Sequence, residues 1–207
     1  MLNISRIPLG PLATNAYVVS NPNTKKAFVI DPGMASSVLF QAFGDFTVEA
    51  VILTHAHFDH IGGLEEVRKR TGAPVYIHER EKDWLNDPEL NGSAFWPEVG
   101  PQIRCRPADQ YLQDGAQLEL LGEEFKIFHT PGHSPGSISL YCGDMLFCGD
   151  VLFRQSVGRT DLPGGSTQEL YDSIHRVLFS LPGEVQVYPG HGPETTIAFE
   201  KEHNPYV

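Results

Sequence analysis

The chain opens on three apolar stretches, LNISRIPL (2–9), NAYVVS (15–20) and AFVIDPG (27–33), rich in β-branched and aromatic residues and bounded by Pro, Asn and Gly. That pattern predicts three strands in an opening antiparallel meander. SSVLFQAF (36–43) predicts a short helix. VEAVILT (48–54) is apolar nearly throughout, as expected of a strand covered on both faces, and it stops at Thr54. In LEEVRKRTG (64–72), Leu64 and Val67 stand three apart among charges and Gly72 supplies a stop, hence a helix. APVYIH (73–78) predicts a strand and HEREKDWLND (78–87) a helix. Residues 88–107 carry several prolines and no period, which predicts a long irregular segment, either a lid over a binding site or a packed surface excursion.

The second half repeats the style. QLELLGEEFKIFHT (117–130) predicts a hairpin, SISLYC (137–142) and MLFCGD (145–150) strands, and STQELYDSIHRVLFSL (166–181) a helix capped by Ser166 or Thr167. EVQVYPGHG (184–192) reads as a last strand running into a turn. Strands and helices in each half predict an α+β fold in which two sheets pack face to face with helices outside. Nothing in the 207 residues marks a linker, so a single domain over 1–207 is expected.

Composition narrows the function classes. A net charge of −11 with only 15 Lys plus Arg argues against affinity for nucleic acid or anionic membrane surfaces. MLNISRIPLGP at the start has neither a signal-peptide pattern nor a membrane-spanning run, and a cytoplasmic location is expected. Cys105, Cys142 and Cys148 form no C-x-x-C and leave one unpaired, which suits buried or inert thiols in a reducing compartment.

The candidate chemistry lies in the histidines. THAHFDHIGG places His55, His57, Asp59 and His60 in six positions directly after the buried-type strand. Such a density of metal-competent side chains at a strand end is poorly explained by packing, because buried polar groups need partners. His133, Asp150 and His191 each follow another apolar strand, in the Gly- or Pro-rich turns of FKIFHTPGH, MLFCGD and VQVYPGH. Five histidines and two aspartates exceed one tetrahedral zinc site and fit two adjacent ions sharing a carboxylate. His78, His129, His175 and His203 occur singly and are assigned no role, His129 being the nearest to one.

H-x-H-x-D-H followed by His, Asp and His resembles the metallo-β-lactamase superfamily, and within it the short bacterial glyoxalase II-like hydrolases. NAYVV, VIDPG, GHSPGS, GDVLF, VGR and PGHG extend the likeness over nearly the whole chain. The resemblance implies an αββα sandwich of two mixed β-sheets. It implies two divalent metal ions, zinc first with iron or manganese as alternatives. His55, His57 and His133 would bind the first, Asp59, His60 and His191 the second, with Asp150 bridging. Asp31 would orient a ligand or the loop beside it, and Arg159 would meet a substrate carboxylate.

Hydrolysis by a hydroxide held between the ions and oriented by Asp59 and Asp150 follows, on a small-molecule thioester of the S-(2-hydroxyacyl)glutathione type. The chain stops at Val207 soon after the last ligand, so the helical C-terminal domain of larger glyoxalase II enzymes is expected to be missing, and Pro193 stands near where those enzymes carry a tyrosine. The likeness implies nothing about oligomeric state.

A single-iron persulfide dioxygenase on His55, His133 and Asp150 is the main alternative. Lactonase and other ester hydrolase readings follow it, while the acidic balance disfavours a nuclease. Asp150 disfavours a β-lactamase, since those enzymes lack the bridging aspartate. GHSPG (132–136) formally matches a serine-hydrolase elbow, but the residue after an elbow nucleophile must donate its N–H, and Pro135 has none. His133, not Ser134, is therefore the residue of interest there.

Overall fold

The computed structural model describes residues 2–34 and 36–207. Its first sheet takes the order β1 (Asn3–Leu9), β2 (Thr14–Asn21), β3 (Lys26–Ile30), β4 (Thr47–Ile52), β5 (Val75–His78) and β6 (Gln110–Leu112). β1 to β3 form the antiparallel meander, and β3 to β6 run parallel. β7 (Gln117–Leu120), β8 (Glu123–His129), β9 (Ile138–Cys142) and β10 (Met145–Gly149) form an antiparallel run. A small hairpin follows, β11 (Leu152–Phe153) with β12 (Ser156–Val157). β13 (Gln186–Pro189) then joins β10 in parallel, and β14 (Thr195–Thr196) closes the second sheet.

Period-2 alternation in the central strands builds two cores at once. Phe28, Ile30, Ala50 and Ile52 point inward onto Phe125, Ile127, Leu140 and Phe147 of the second sheet. Ala27, Val29, Val51 and Leu53 point the other way, under α1 (Ser37–Phe43), the one-turn α2 (Phe58–Ile61) and α3 (Leu64–Thr71). A third core, with Leu146, Cys148, Val187, Leu170 and Ile174, lies between the second sheet and the helices α4 (Thr167–Asp172) and α5 (Ile197–His203). The result is helix, sheet, sheet, helix, the expected αββα sandwich of two mixed sheets.

Local reasons account for most boundaries. Ser36 caps α1 through a bond from Val38 N, Gly72 ends α3 in a left-handed conformation, and Ser166 caps α4. α4 continues through a widened turn, Ser173–Val177, and a tight one, Leu178–Ser180, spanning the expected helix.

One expectation fails: 78–87 is not a helix but two tight turns, Glu79–Glu81 and Trp84–Asn86. The segment has no apolar stripe, and it folds by turning Glu81, Trp84 and Leu85 inward separately. Residues 88–107 contain only the short turn Ser93–Phe95 and are pinned at their base. There Asn91 Nδ2 donates to Trp84 O and Ile103 O, and its carbonyl accepts from Phe58 N. β6, the β11–β12 hairpin, β14 and α5 were not anticipated.

Candidate metal centre

The strands β3, β4, β8, β10 and β13 each end close to one edge of the sandwich, and each is followed by a site residue or its support. The two sheets are tied there by the NAYVV segment. Asn15 N bonds Gly190 O at 2.7 Å, and Asn15 Nδ2 bonds the carbonyls of Pro189 and Gly192 at 2.9 Å each. Tyr17 Oη donates to Pro189 O at 2.7 Å. From the opposite side, Ile138 N bonds Thr54 O at 2.9 Å.

All seven expected ligand residues meet at this edge. His55, His57 and His133 form one group, and Asp59, His60 and His191 a second, with the ligating atoms of each group within 4.8 Å of one another. His133 Nε2 lies 2.8 Å from His57 Nδ1 and 3.2 Å from His55 Nε2. His191 Nε2 lies 3.2 Å from Asp59 Oδ2, and His60 Nε2 3.5 Å from the same oxygen. Asp150 stands between the groups, 3.5 Å from His133 Nε2, 3.4 Å from His191 Nε2 and 3.4 Å from His60 Nε2.

Four of the five imidazoles have their other nitrogen engaged, which turns one lone pair into the site. His60 Nδ1 donates to Asp31 Oδ2 (2.9 Å), His133 Nδ1 to Arg159 O (2.8 Å) and His191 Nδ1 to Leu12 O (3.1 Å). His55 Nδ1 meets Thr54 Oγ1 at 3.0 Å, and that hydroxyl donates to Asp31 Oδ2 at 2.6 Å. Asp31 therefore reaches two imidazoles, one directly and one through Thr54, and it also accepts from Thr54 N at 2.8 Å. Its φ of +47° is a left-handed conformation that Asp tolerates better than most residues. Thr14 Oγ1 donates to Asp59 Oδ2 at 2.6 Å.

Electrostatics divides the two groups. Burial first, and then repulsion from His60 on His55 and from His133 on His57, holds both below the ordinary histidine range, His57 down to about 3. Burial also lowers His133. For His60 and His191 burial acts downward too, but carboxylates outweigh it: Asp59, Asp150 and Asp31 around His60, and bonds to Asp150 and Asp59 for His191, raised to about 10. Burial would raise the two aspartates, yet His60 and His191 overcome it and hold Asp59 at about 2 and Asp150 low as well.

These residues fit metal. His60 Nε2 and Asp150 Oδ1 are buried without a hydrogen-bond partner and face the other donors, an arrangement that costs about 1–3 kcal/mol per group unless something occupies the space between them. Two nitrogen-rich groups joined by a carboxylate suit borderline divalent ions. The glycines serve this crowding. A Cβ at Gly190 would lie 2.0 Å from Asp150 Oδ1, and one at Gly132 2.1 Å from Leu170 N.

A cleft of about 150 Å³ opens onto the site, lined on one side by His57, Asp59, His133, Asp150 and His191 and on the other by Leu12, Phe58, Trp96 and Leu162. Asn91, Gly92 and Trp96 bring the 88–107 segment to its wall. Arg159 reaches the rim, but its guanidinium is half-exposed and holds Asp161 through two 2.7 Å bonds. Ser134 is fully buried, bonded to Glu81 and Ser137, and meets no histidine that would activate it. His129 stacks on His78 at 4.1 Å and bonds Pro135 O, outside the ligand groups. Cys105 and Cys148 are buried, and burial pushes both thiols up to about 12. Thr14, Thr54 and Glu81 are the supporting residues that sequence reasoning passed over, each bonded to a partner distant in the chain or, for Thr54, to Asp31 as well as its neighbour His55.

Four layers, a histidine-rich edge and a shared aspartate define a class, and the Metallo-beta-lactamase superfamily profile matches residues 9–191. The chain belongs to that superfamily. Among curated proteins it is 41% identical to YqgX of Bacillus subtilis, described as a probable metallo-hydrolase, over 98% of this chain and 96% of that one. It is 32% identical to the hydroxyacylglutathione hydrolase GloC of Haemophilus influenzae, over 100% and 98%.

Among solved structures, the BLEG-1 B3 metallo-beta-lactamase superposes with TM-score 0.93 at 47% identity, covering 100% of this chain and 99% of the other. TTHA1623 in a di-iron-bound form gives 0.86 at 38%, over 98% and 100%. ETHE1 from Myxococcus xanthus gives 0.79 at 32%, over 98% and 83%. Among the described residues no helix is long and apolar enough to cross a membrane.

Proposed function

We propose that this chain is a hydrolase that takes up two divalent ions, zinc first, and cleaves small-molecule thioesters of the S-(2-hydroxyacyl)glutathione type. The observation that carries the reading is the pair of three-residue groups meeting at Asp150, with His60 Nε2 and Asp150 Oδ1 buried and unpartnered. His55, His57 and His133 would hold one ion, Asp59, His60 and His191 the other, and Asp150 both. When bound, such ions draw a nucleophile from water at neutral pH and polarise a carbonyl.

The chain's own residues supply the rest. Asp59 and Asp150 stay ionised and offset the charge of two cations, with Thr14 holding Asp59 in place. Asp31, Thr54 and the carbonyls of Leu12 and Arg159 fix which imidazole nitrogen faces the site. Leu12, Trp96 and Leu162 shield the reacting bond from bulk water, and Arg159 offers the cation for a substrate carboxylate. A thiolate leaving group, with a pKa of roughly 8.5, departs without a strong acid. The likeness to GloC supports the thioester. The three free cysteines support a reducing, cytoplasmic setting.

A second reading is a single-iron persulfide dioxygenase on His55, His133 and Asp150; the di-iron-bound form of TTHA1623 supports iron as an occupant, though with two ions rather than one. The likeness to BLEG-1 returns β-lactam cleavage to the assay panel despite Asp150. Metal analysis of the purified protein, coupled to turnover of S-D-lactoylglutathione, decides among them. Two ions per chain with thioester cleavage is the expected result. A one-iron protein that consumes oxygen with glutathione persulfide, or a β-lactamase that ignores thioesters, overturns it.

A further inference from the structure

Glu81 is a carboxylate with no solvent exposure, and among the described residues it forms no ion pair. Its partners are three hydrogen-bond donors. Oε2 accepts from Ala56 N at 2.6 Å, and Oε1 accepts from Gly136 N at 2.7 Å and from Ser134 Oγ. Ala56 is the residue between His55 and His57, and Ser134 directly follows His133. A side chain from the turn after β5 thus grips the backbones of both loops that supply the three-imidazole group, 25 and 53–55 residues away in the chain.

The grip is tight on both sides. A Cβ at Gly136 would lie 2.7 Å from Glu81 Cγ, so only glycine lets that loop come so close. Burying a carboxylate without a cation is costly, and apolar or amide residues of similar shape exist. An amide, however, offers an acceptor at one end only. It would face either Ala56 N–H or Gly136 N–H with a donor of its own. A carboxylate alone among side chains of this length accepts from both loops at once.

We propose that Glu81 is a positioning residue for the metal centre: by holding Ala56 and the Ser134–Gly136 turn on one carboxylate, it sets the spacing of the His55 and His57 imidazoles from that of His133. It touches neither substrate nor ion. The proposal rests on the reading of those three histidines as ligands.

Cobalt(II) titration of the metal-free full chain tests it, read by the visible absorption bands, which report coordination geometry, and by competition with a chelator of known affinity. Glu81→Gln is expected to weaken the first equivalent about tenfold or more and to shift its bands. Ser134→Ala, which removes one of the three donors and leaves both backbone bonds, is expected to weaken it about two- to fivefold. Circular dichroism and urea midpoints of the metal-free proteins run alongside.

A Glu81→Gln protein of lowered stability that binds cobalt with the wild-type affinity and spectrum overturns the proposal, because a purely structural residue would behave so. If Glu81→Gln does not fold, Ser134→Ala decides alone, an unchanged affinity overturning it. Wild-type protein that takes up no cobalt overturns the ligand reading itself, and the role of Glu81 with it.

Discussion

Replacing Asp31 by Asn changes one atom in the support of the candidate metal centre, and its effect can be worked through bond by bond. Asp31 is buried and accepts three hydrogen bonds, from Thr54 N (2.8 Å), Thr54 Oγ1 (2.6 Å) and His60 Nδ1 (2.9 Å). Asn tolerates the same left-handed backbone, so the fold has no reason to move there. Its amide can accept at one end only, and a donor must now face either Thr54 N–H or the shared Thr54 hydroxyl and His60.

The backbone N–H cannot change, whereas His60 can shift its proton from Nδ1 to Nε2, and the conflict resolves there. The lone pair that faces Asp59 and Asp150 is then lost. Loss of such a supporting bond weakens metal binding about 10- to 100-fold. That is about 1.4–2.8 kcal/mol. It should fall hardest on the Asp59–His60–His191 group, with a smaller effect on the His55–His57–His133 group through the Thr54 hydroxyl that links Asp31 to His55. Stepwise zinc titration of the metal-free variant against a chelator resolves the two equivalents. A second equivalent bound as tightly as in wild type refutes the reasoning.

Four other outcomes follow from the geometry. Protons held by His60 and His191, the latter raised to about 10, must leave when the second ion enters, so calorimetry near pH 7.5 in buffers of different ionisation enthalpy should show about two protons released for the second equivalent and about none for the first. His191's contribution to the metal-free fold is full below its unfolded pKa of about 6.5 and lost as pH rises through about 10. The metal-free Tm should therefore fall across that window while affinity for the second ion climbs; a second equivalent that releases no protons contradicts both.

Gly190→Ala drives a methyl to 2.0 Å from Asp150 Oδ1, and it should lose the second ion and about 1–3 kcal/mol of stability, measured by metal content and urea midpoint; two ions retained would count against the packing argument. Arg159→Ala should raise KM for S-D-lactoylglutathione about two- to fivefold with kcat little changed, and Asp161→Ala, which frees the guanidinium, should lower it; KM unmoved in both excludes the contact. His133→Ala should lose metal and turnover together, whereas Ser134→Ala at saturating metal should stay within about tenfold of wild type; the reverse result restores the serine as nucleophile.

The layers of the fold were legible where burial dictates composition. VEAVILT is apolar on successive residues because Ala50 and Ile52 face one core and Val51 and Leu53 another, as a strand covered on both faces requires. That seven histidines and aspartates would gather at one edge was legible because each follows an apolar strand in a tight turn. What escaped was set by distant partners. The 78–87 segment has helix-forming residues, yet Glu81 is drawn inward by Ala56 and Gly136, and the helix does not form.

α5 has little apolar surface and is held by Glu200, which bonds Thr195, Gln155 N and Asn204, a network invisible to periodicity. β6 is three residues long with two exposed, too short to show alternation. The pairing of Arg159 with Asp161 lay two residues away and was within reach of the sequence alone.

The seven candidate ligand residues are shared between the two sheets. His55, His57, Asp59 and His60 follow a strand of the first, while His133, Asp150 and His191 follow strands of the second. Neither of the two groups that Asp150 joins is completed by one sheet: the first spans 76 and 78 residues between its members, and the second joins residues 59 and 60 to 191. An ion seated in either group would act as a clasp across the seam of the sandwich, bonded to both leaves. The four-residue cluster after β4 and Asp31 belong to the first leaf alone, so an ion could lodge there before docking, but only closure of the two leaves would complete both groups around Asp150.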